Sequence, residues 1–569
     1  MLKAHWLNDT LPTPPGKSRQ MPPSVKQRSL LLRAFIWLVV TAALATVAAV
    51  VFEWFQFASS QPDELLDRRA WRIAALLTLN LFLTILIATA CAFYFWLRLS
   101  QSLPDLQGWH LQSPESEFRA KHAKRDYDWD DYLTQEEQIF KELDTYITDS
   151  WSRQSQDAYN RFNKDSICNP TSILDHNWNR SRVVEHDNPV GGVLLVHGLS
   201  DSPYSLRRLG ERLHSEGYTV IWLRVPGHGT TPHALAEVCW DDWTEAVKIA
   251  VKGLRSKLPD NLPLFLAGYS NGGALSVHYT LSALDDETLP KVAAIVLISP
   301  MIGINPLAKI TRLSTAVGLV SRNEKTNWSH IYAEIDPFKY SSWPMNANSQ
   351  AWSTTQGVEK KLAALQKAGR MNEMPPILAM QSAVDSTVSV PRLITAVFSR
   401  LQSEQSELFL FDINRVDNLS NLVNFSFEKN VLPSLQQDNR PYRLSILRNG
   451  EETSEQMVLK THSNDQTQEK PVQERWPDGF ISLSHVALPI APDDPVYGDA
   501  AHTADLSLGC ISMRAEPSAL MIPSTLFVRC RHNPFYGLME NHILDWLNSN
   551  HSTANTVKHA AREPDLTSQ

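Results

Sequence analysis

Leu262-Pro-Leu-Phe-Leu-Ala-Gly-Tyr-Ser-Asn-Gly-Gly-Ala-Leu275 reads as three events in fourteen residues. A short apolar run, Leu264 to Ala267, has the length of a buried strand. Gly268-Tyr269-Ser270-Asn271-Gly272 then makes a sharp turn, and Gly273, Ala274 and Leu275 begin a helix. Gly-x-Ser-x-Gly between a strand and a helix is the setting of a nucleophile elbow. The turn is so tight that side chains at Gly268 and Gly272 would collide with neighbouring backbone. It lifts Ser270 clear of the sheet, and the helix behind it aims backbone N–H groups at any negative charge formed there.

Working outward, the flanks alternate strands and helices. Arg182 to Glu185 and Gly192 to Val196 read as strands, the second apolar throughout, as in a strand buried on both faces. His197-Gly198-Leu199 follows it. A helix is predicted at Ser205 to Glu216, then a strand at Tyr218 to Leu223 ending in Arg224-Val225-Pro226-Gly227-His228-Gly229. A helix at Asp241 to Lys257 precedes the serine strand. Val292 to Ser299, Ile377 to Gln381 and Leu408 to Ile413 are further strands, and Pro534 to Leu547 a closing amphipathic helix. The alternation predicts an α/β domain over 181–550 with a mainly parallel sheet covered on both faces. Residues 305–374 break the rhythm with Trp328, Trp343 and Trp352, and are expected to form a helical cap over the strand ends. Residues 416–475 are polar and irregular, a second insertion holding two strands, Tyr442 to Leu447 and Gln456 to Lys460.

A serine hydroxyl needs a base within hydrogen-bond reach, and the base needs an orienting group. In a parallel sheet these partners sit on loops after later strands. Asp385 follows Ile377 to Gln381, and His485 follows Phe480 to Ser484. The order Ser270, Asp385, His485 is that of the strand–elbow–helix architecture. Asp412 and Asp417 compete with Asp385; His502 and His532 compete with His485. His197 is expected to brace its loop through its ring nitrogens, and His228 to be structural. The oxyanion of a tetrahedral intermediate would face the backbone N–H groups of Leu199 and Asn271.

His197-Gly198-Leu199, Pro226-Gly227-His228-Gly229, Gly268 to Gly273, Asp385 and Ser484-His485 together resemble the α/β-hydrolase superfamily. Within it they are most similar to the monoacylglycerol lipase, lysophospholipase and serine aminopeptidase-like branch. The resemblance spans about residues 180 to 545 and implies a Ser-His-Asp esterase or lipase with a helical cap, no metal and no cofactor. Asn271 stands where this branch often has Met, and the stretch between Asp385 and His485 is longer than usual. A thioesterase, amidase or acyltransferase would use the same residues. Two other readings stay open. One is a binding or scaffold module that keeps the fold without the chemistry. The other is a peptidase holding an amino group with Glu324, Glu334 or Asp336.

The remainder concerns the membrane. Residues 1–29 are basic, polar and proline-rich, and are expected to form a disordered tail. Ala34 to Phe52 and Ile73 to Leu97 are uncharged runs long enough to cross a bilayer, predicting a two-helix hairpin. A cleaved signal peptide competes for the first, against the length of its apolar run and of the preceding tail. The second ends in Phe93-Tyr94-Phe95-Trp96, an aromatic cluster suited to the interface. Lys3, Lys17, Arg19, Lys26, Arg28 and Arg33 favour the tail on the cytoplasmic side, and two crossings return the hydrolase domain there. Residues 99–180 are expected to form a linker with one amphipathic helix, Tyr132 to Trp151, either packed on the core, the favoured reading, or lying on the membrane. The membrane hairpin points to a lipid-derived ester, a monoacylglycerol or a lysophospholipid. The net charge of −8 argues against nucleic acid as a partner. No cysteine spacing suggests zinc; Cys168, Cys239, Cys510 and Cys530 are left open between two disulfides and scattered thiols. The oligomeric state is also left open.

Overall fold

The computed structural model describes residues 41, 66–123, 126–151, 156–303, 323–415, 425, 427–435, 440–450, 455–463, 466–499, 507–509 and 529–560. It falls into two units, Met1–Asp105 with Asn323–Thr326, and Leu106–Arg322 with Asn327–Gln569. In the first, helix α1 (Leu66–Gln101) contains the whole of the predicted second span. Its stretch Asn80–Gln101, of mean hydropathy 1.9, is long and apolar enough to cross a bilayer. Thr84 and Thr89 turn their hydroxyls back onto the carbonyls of Asn80 and Ile85, so neither leaves a polar group unmet on the helix surface. The predicted first span lies outside the described residues except for Thr41.

The second unit is built on a ten-stranded sheet. Its strands are β1 (Arg182–Val184), β2 (Gly191–Val196), β3 (Tyr218–Leu223), β4 (Leu264–Tyr269), β5 (Ala294–Ile298), β8 (Ile377–Ser382), β9 (Glu407–Phe411), β10 (Arg443–Asn449), β11 (Met457–Ser463) and β12 (Gln466–Pro471), with a separate ribbon of β6 (Trp328–His330) and β7 (Trp343–Pro344). The order is β1-β3-β2-β4-β5-β8-β9-β10-β11-β12. From β3 to β10 all neighbours are parallel; β1 at one edge and β11 and β12 at the other are antiparallel.

The apolar runs alternate between two cores because a strand points successive side chains to opposite faces. Leu194, Leu266, Ile295 and Leu297 face one core with helices α4 (Trp240–Ser256), α5 (Asn271–Asp285) and α6 (Met345–Lys367). Val193, Leu195, Phe265 and Val296 face the other, closed by α3 (Arg207–Ser215) and α7 (Tyr536–Ala560). Helix α6 departs from the expected cap. Its Ala351, Val358 and Leu362 are buried in the core, and Gly357 brings it close to Trp240 and to His278 of α5. This helix is a layer of the core, because its apolar stripe fits the elbow helix. Residues 304–322 of the expected cap are outside the described residues.

Residues 416–475 likewise join the sheet. β10 pairs with β9 in register Leu444↔Leu408, and β11 and β12 follow as an antiparallel hairpin. The strand Gln466–Pro471 was not predicted: it is polar and exposed along its length, so no hydrophobic alternation marks it, as suits an edge. Phe480 to Ser484, the segment that leads into His485, forms no strand.

The segment ahead of the sheet is tied in by charge. Helix α2 (Trp129–Thr145) starts three residues before its predicted first residue, where the Asp128 carboxylate caps the N–H groups of Asp130 and Asp131. It buries Tyr132, Ile139, Phe140 and Leu143, and also Glu136. Arg224, fully buried at the end of β3, meets Glu136 through Nε at 3.0 Å and Glu117 through Nη1 and Nη2 at 3.2 and 3.1 Å. Its Nη1 also donates to the carbonyl of His228, and Tyr132 donates to the carbonyl of Arg224 at 2.6 Å. Glu136 also accepts from Ser181 N and Oγ. A buried charge stripped of a partner is costly, so Glu136→Ala is expected to lose about 3–5 kcal/mol. Urea unfolding would read this as a lower midpoint with an unchanged m-value.

Candidate active site

β4 delivers the elbow. An added Cβ at Gly272 would lie 1.9 Å from the Val196 carbonyl oxygen, and one at Gly268 would lie 2.4 Å from that of Gly272. Ser270 takes φ +53° and ψ −115°, a conformation that side chains rarely adopt. Its N–H donates to Ile298 O at 3.0 Å, and its own carbonyl accepts from Met301 N at 2.8 Å. The strained turn is thus bolted to the end of β5. The positive-φ non-glycine residues among those described are Ser200, Ser270 and Ser299, and they follow β2, β4 and β5. Backbone strain is gathered at one end of the sheet, as at functional sites.

The three predicted partners meet there. His485 Nε2 lies 3.0 Å from Ser270 Oγ, and His485 Nδ1 lies 2.8 Å from Asp385 Oδ2. The other oxygen of Asp385 accepts from Thr387 N at 2.8 Å and Val388 N at 3.0 Å. Burial alone would raise this carboxyl; the hydrogen bond and charge of His485, helped by these two N–H groups, outweigh it and hold it below the usual carboxylate value. Because the folded value lies below the unfolded one, this stabilisation is complete above the unfolded value, about pH 4, and fades as the pH falls below it. An ionised Asp385 only accepts, so Nδ1 carries the ring proton and Nε2 is left to accept from Ser270.

His485 reaches this place without a strand of its own. Asn414, just past β9, donates through N to Ile481 O at 2.8 Å and through Nδ2 to Phe480 O at 3.0 Å. Ser382, the last residue of β8, donates to Leu483 O at 2.9 Å. Tyr269 donates to the His485 carbonyl at 3.4 Å. These positioning residues escaped the sequence reading; the available signal was polar side chains closing two apolar strands.

The rivals are otherwise engaged. Asp412 pairs with Arg415 at 2.9 Å, and His532 faces Asp499 at 3.6 Å. Asp417 and His502 lie outside the described residues. Glu334 accepts from Ser341 N and Ser342 N, and Asp336 from Phe338 N, Lys339 N and Tyr497 Oη, so neither is open to a substrate amine. Cys168, Cys239 and Cys530 are free thiols; Cys510 is outside the described residues.

The two backbone N–H groups expected to face an oxyanion are without acceptors among the described residues. Asn271 is the first residue of α5, so its N–H has no acceptor within the helix. Among the described residues, Leu199 N–H meets no acceptor either. Gly198 lets this loop close on Tyr269 and on Ser270 Cβ, which a side chain would meet at 2.9 and 3.2 Å. His197 holds the loop: Nδ1 lies 2.8 Å from Gly198 O, and Nε2 accepts from Val225 N at 3.0 Å. Burial, with His228 beside it, pushes its pKa well down, so the ring is neutral and acts as a brace. His228 is buried too, its pKa pushed down to about 3, with Nδ1 set against the carbonyls of Val225 and Pro226. Among the described residues no cluster of His, Cys, Asp and Glu is placed to hold a metal ion.

Parts of the chain are similar to known proteins. Residues 187–412 match the family model described as Hydrolase_4: Serine aminopeptidase, S33. The chain is 32% identical over 122 residues to the thermostable monoacylglycerol lipase of Bacillus sp. (strain H-257), covering 21% of this chain and 45% of that protein. It is 29% identical over 119 residues to Phospholipase YtpA of Bacillus subtilis (strain 168), covering 21% and 43%. The chain spans less than half the length of both relatives. Among solved structures, one of the metagenome-derived lipolytic enzymes LipS and LipT is 22% identical over 46% of this chain and 98% of that one, with a TM-score of 0.33. A soluble variant of the monoglyceride lipase of Saccharomyces cerevisiae is 16% identical over 41% and 82%, also with a TM-score of 0.33. The family match, the sheet order and the elbow together support the α/β-hydrolase fold.

Gly272→Ala is expected to cost about 4 kcal/mol or more, or to prevent folding, because both colliding groups are backbone. Gly537→Ala, with nothing within 4 Å, is the contrasting control. It should gain about 0.5–1 kcal/mol as a helical glycine replaced. Thermal melts of the two variants check the pair.

Proposed function

We propose that this α/β-hydrolase-fold chain is a serine hydrolase of carboxylic esters, acting through an acyl-enzyme on Ser270. The observation that carries the reading is the continuous chain Ser270 Oγ, His485, Asp385, with contacts of 3.0 and 2.8 Å. Ser270 Oγ attacks the ester carbonyl carbon as His485 Nε2 takes its proton. Asp385 fixes the tautomer and stabilises the imidazolium. Negative charge moves to the carbonyl oxygen, where the N–H groups of Leu199 and Asn271 receive it; each such donor is worth about 2.7–4 kcal/mol. Collapse breaks the C–O bond, and His485 returns the proton to the departing alcohol. Water, deprotonated by the same ring, then releases the acid and restores Ser270.

The substrate in this reading is lipid-derived, a monoacylglycerol or a lysophospholipid. The names of the two Bacillus relatives and the long apolar helix support it. Leu81, Phe82, Ile85 and Tyr94 of α1 are all more than half exposed, an apolar surface suited to lipid. The two spans Ala34 to Phe52 and Ile73 to Leu97 form the anchor, and the hydrolase domain lies on the cytoplasmic side.

A fluorophosphonate probe on the detergent-solubilised protein should label Ser270, and peptide mapping would locate the adduct. Ser270→Ala should lose turnover of p-nitrophenyl esters by roughly 10⁴-fold or more while melting at the same temperature. Asp385→Asn should lower kcat by about 10⁴-fold with the fold intact, because the ring takes the wrong tautomer. Undiminished turnover in the serine variant would sink the mechanism. For the anchor, carbonate-washed membranes should retain the protein. Protease added outside right-side-out vesicles should spare the domain; its digestion would reverse the orientation.

A further inference from the structure

Burying a guanidinium is costly unless an acceptor meets it. Arg224 follows the rule with two carboxylates, and buried Arg161 donates to the Asp336 carbonyl. Arg531 does not. It is only 7% exposed, its Nε is buried without a partner, and among the described residues its guanidinium makes no hydrogen bond or ion pair. Its company is the Tyr497 ring, 5.7 Å away.

Arg531 lines a small, partly open cleft with Asp201, Ser205, Lys339, Val486 and Tyr497. The charges facing it do not balance. Lys339 Nζ lies 3.8 Å from Asp201 Oδ2, a long contact for an ion pair. Asp336, the next carboxylate, is occupied by three donors, including Tyr497 Oη at 2.5 Å. Among the lining residues two cations face one carboxylate, and burial lifts that carboxyl to about 6. The position is as telling as the charge. Val486 adjoins the base His485, and Asp201 lies two residues beyond Leu199. The loops that carry the base and an oxyanion donor both form walls of the cleft.

We propose that this cleft is an anion subsite that takes a phosphate group carried by the ester substrate, with Arg531 and Lys339 as its cationic groups. The proposal rests on the ester-hydrolase reading above and narrows its two substrate classes, monoacylglycerol and lysophospholipid, to the phosphate-bearing one. A guanidinium fork and an ammonium together match the several acceptor oxygens of phosphate. The anion supplies Arg531 with the acceptor that the chain withholds.

The test compares two substrates on the same preparation of the full chain in detergent: a 1-acylglycerol 3-phosphate and the 1-acylglycerol of the same chain length. Their ratio of kcat/KM cancels any loss of folded enzyme. The wild type should prefer the phosphate-bearing substrate. Arg531→Gln should cut that preference about thirtyfold or more, the lower end for removing one partner of a buried charge pair. Lys339→Gln should reduce it less, since Lys339 is more exposed. Glycerol 3-phosphate should inhibit hydrolysis of a p-nitrophenyl ester by the wild type, and less so by Arg531→Gln. Equal kcat/KM for the two lysolipids, with the p-nitrophenyl ester still turned over, would overturn the subsite and leave ester hydrolysis standing. Inhibition by inorganic phosphate without any substrate preference would assign a free-phosphate site and overturn the headgroup. No turnover of any of the esters would overturn the hydrolase reading and the substrate assignment with it.

Discussion

Three pieces of backbone meet where Gly272 lies against the carbonyl of Val196 and Gly268 lies under that of Gly272. No side chain fits at either place. This contact sets the height of Ser270 above the sheet, the origin of α5 and the separation of β2 from β4. What lies around it follows. Ser270 is tied to β5 through Ile298 and Met301, and Gly198 brings the Leu199 loop onto Ser270 Cβ. The cost is a serine at positive φ, which persists because the surrounding hydrogen bonds leave the turn no alternative.

His485 arrives from far along the chain. Between Asp412 and His485 the polypeptide leaves to build β10, β11 and β12 at the sheet edge. Such an excursion is tolerable because loop-closure entropy grows only slowly with length. What keeps the geometry is local: Asn414 and Ser382 grip the carbonyls of residues 480, 481 and 483, just ahead of the histidine. The ends of β8 and β9 therefore hold His485 directly, whatever the intervening chain does.

Two buried arginines show how the fold distributes charge. Arg224 joins α2 and the segment of Glu117 to the Pro-Gly-His-Gly turn, with two carboxylates and the His228 carbonyl around its guanidinium and its own carbonyl accepting from Tyr132. Its surroundings are complete and its role is structural. Arg531 sits at the wall of a cleft beside Val486, the neighbour of His485, with no acceptor from the described residues. A satisfied charge holds the protein together; an unsatisfied one is set to meet something else.

The sequence by itself determined the elbow, the strands around it and the triad types in their order. Those signals are local: glycines where a Cβ has no room, and continuous apolar runs buried on both faces. It also marked His197 as a brace, since a histidine directly after a buried strand has few other uses. Tertiary structure alone decided which aspartate and histidine meet Ser270, because Asp412 and His532 differ from Asp385 and His485 only in the partners that packing gives them. It alone placed α6 in the core, extended the sheet with the exposed polar strand Gln466–Pro471, and left Arg531 without an acceptor among the described residues. Such outcomes depend on distances between residues remote in the chain, and no pattern of neighbours along a sequence encodes whether a buried charge has found its partner.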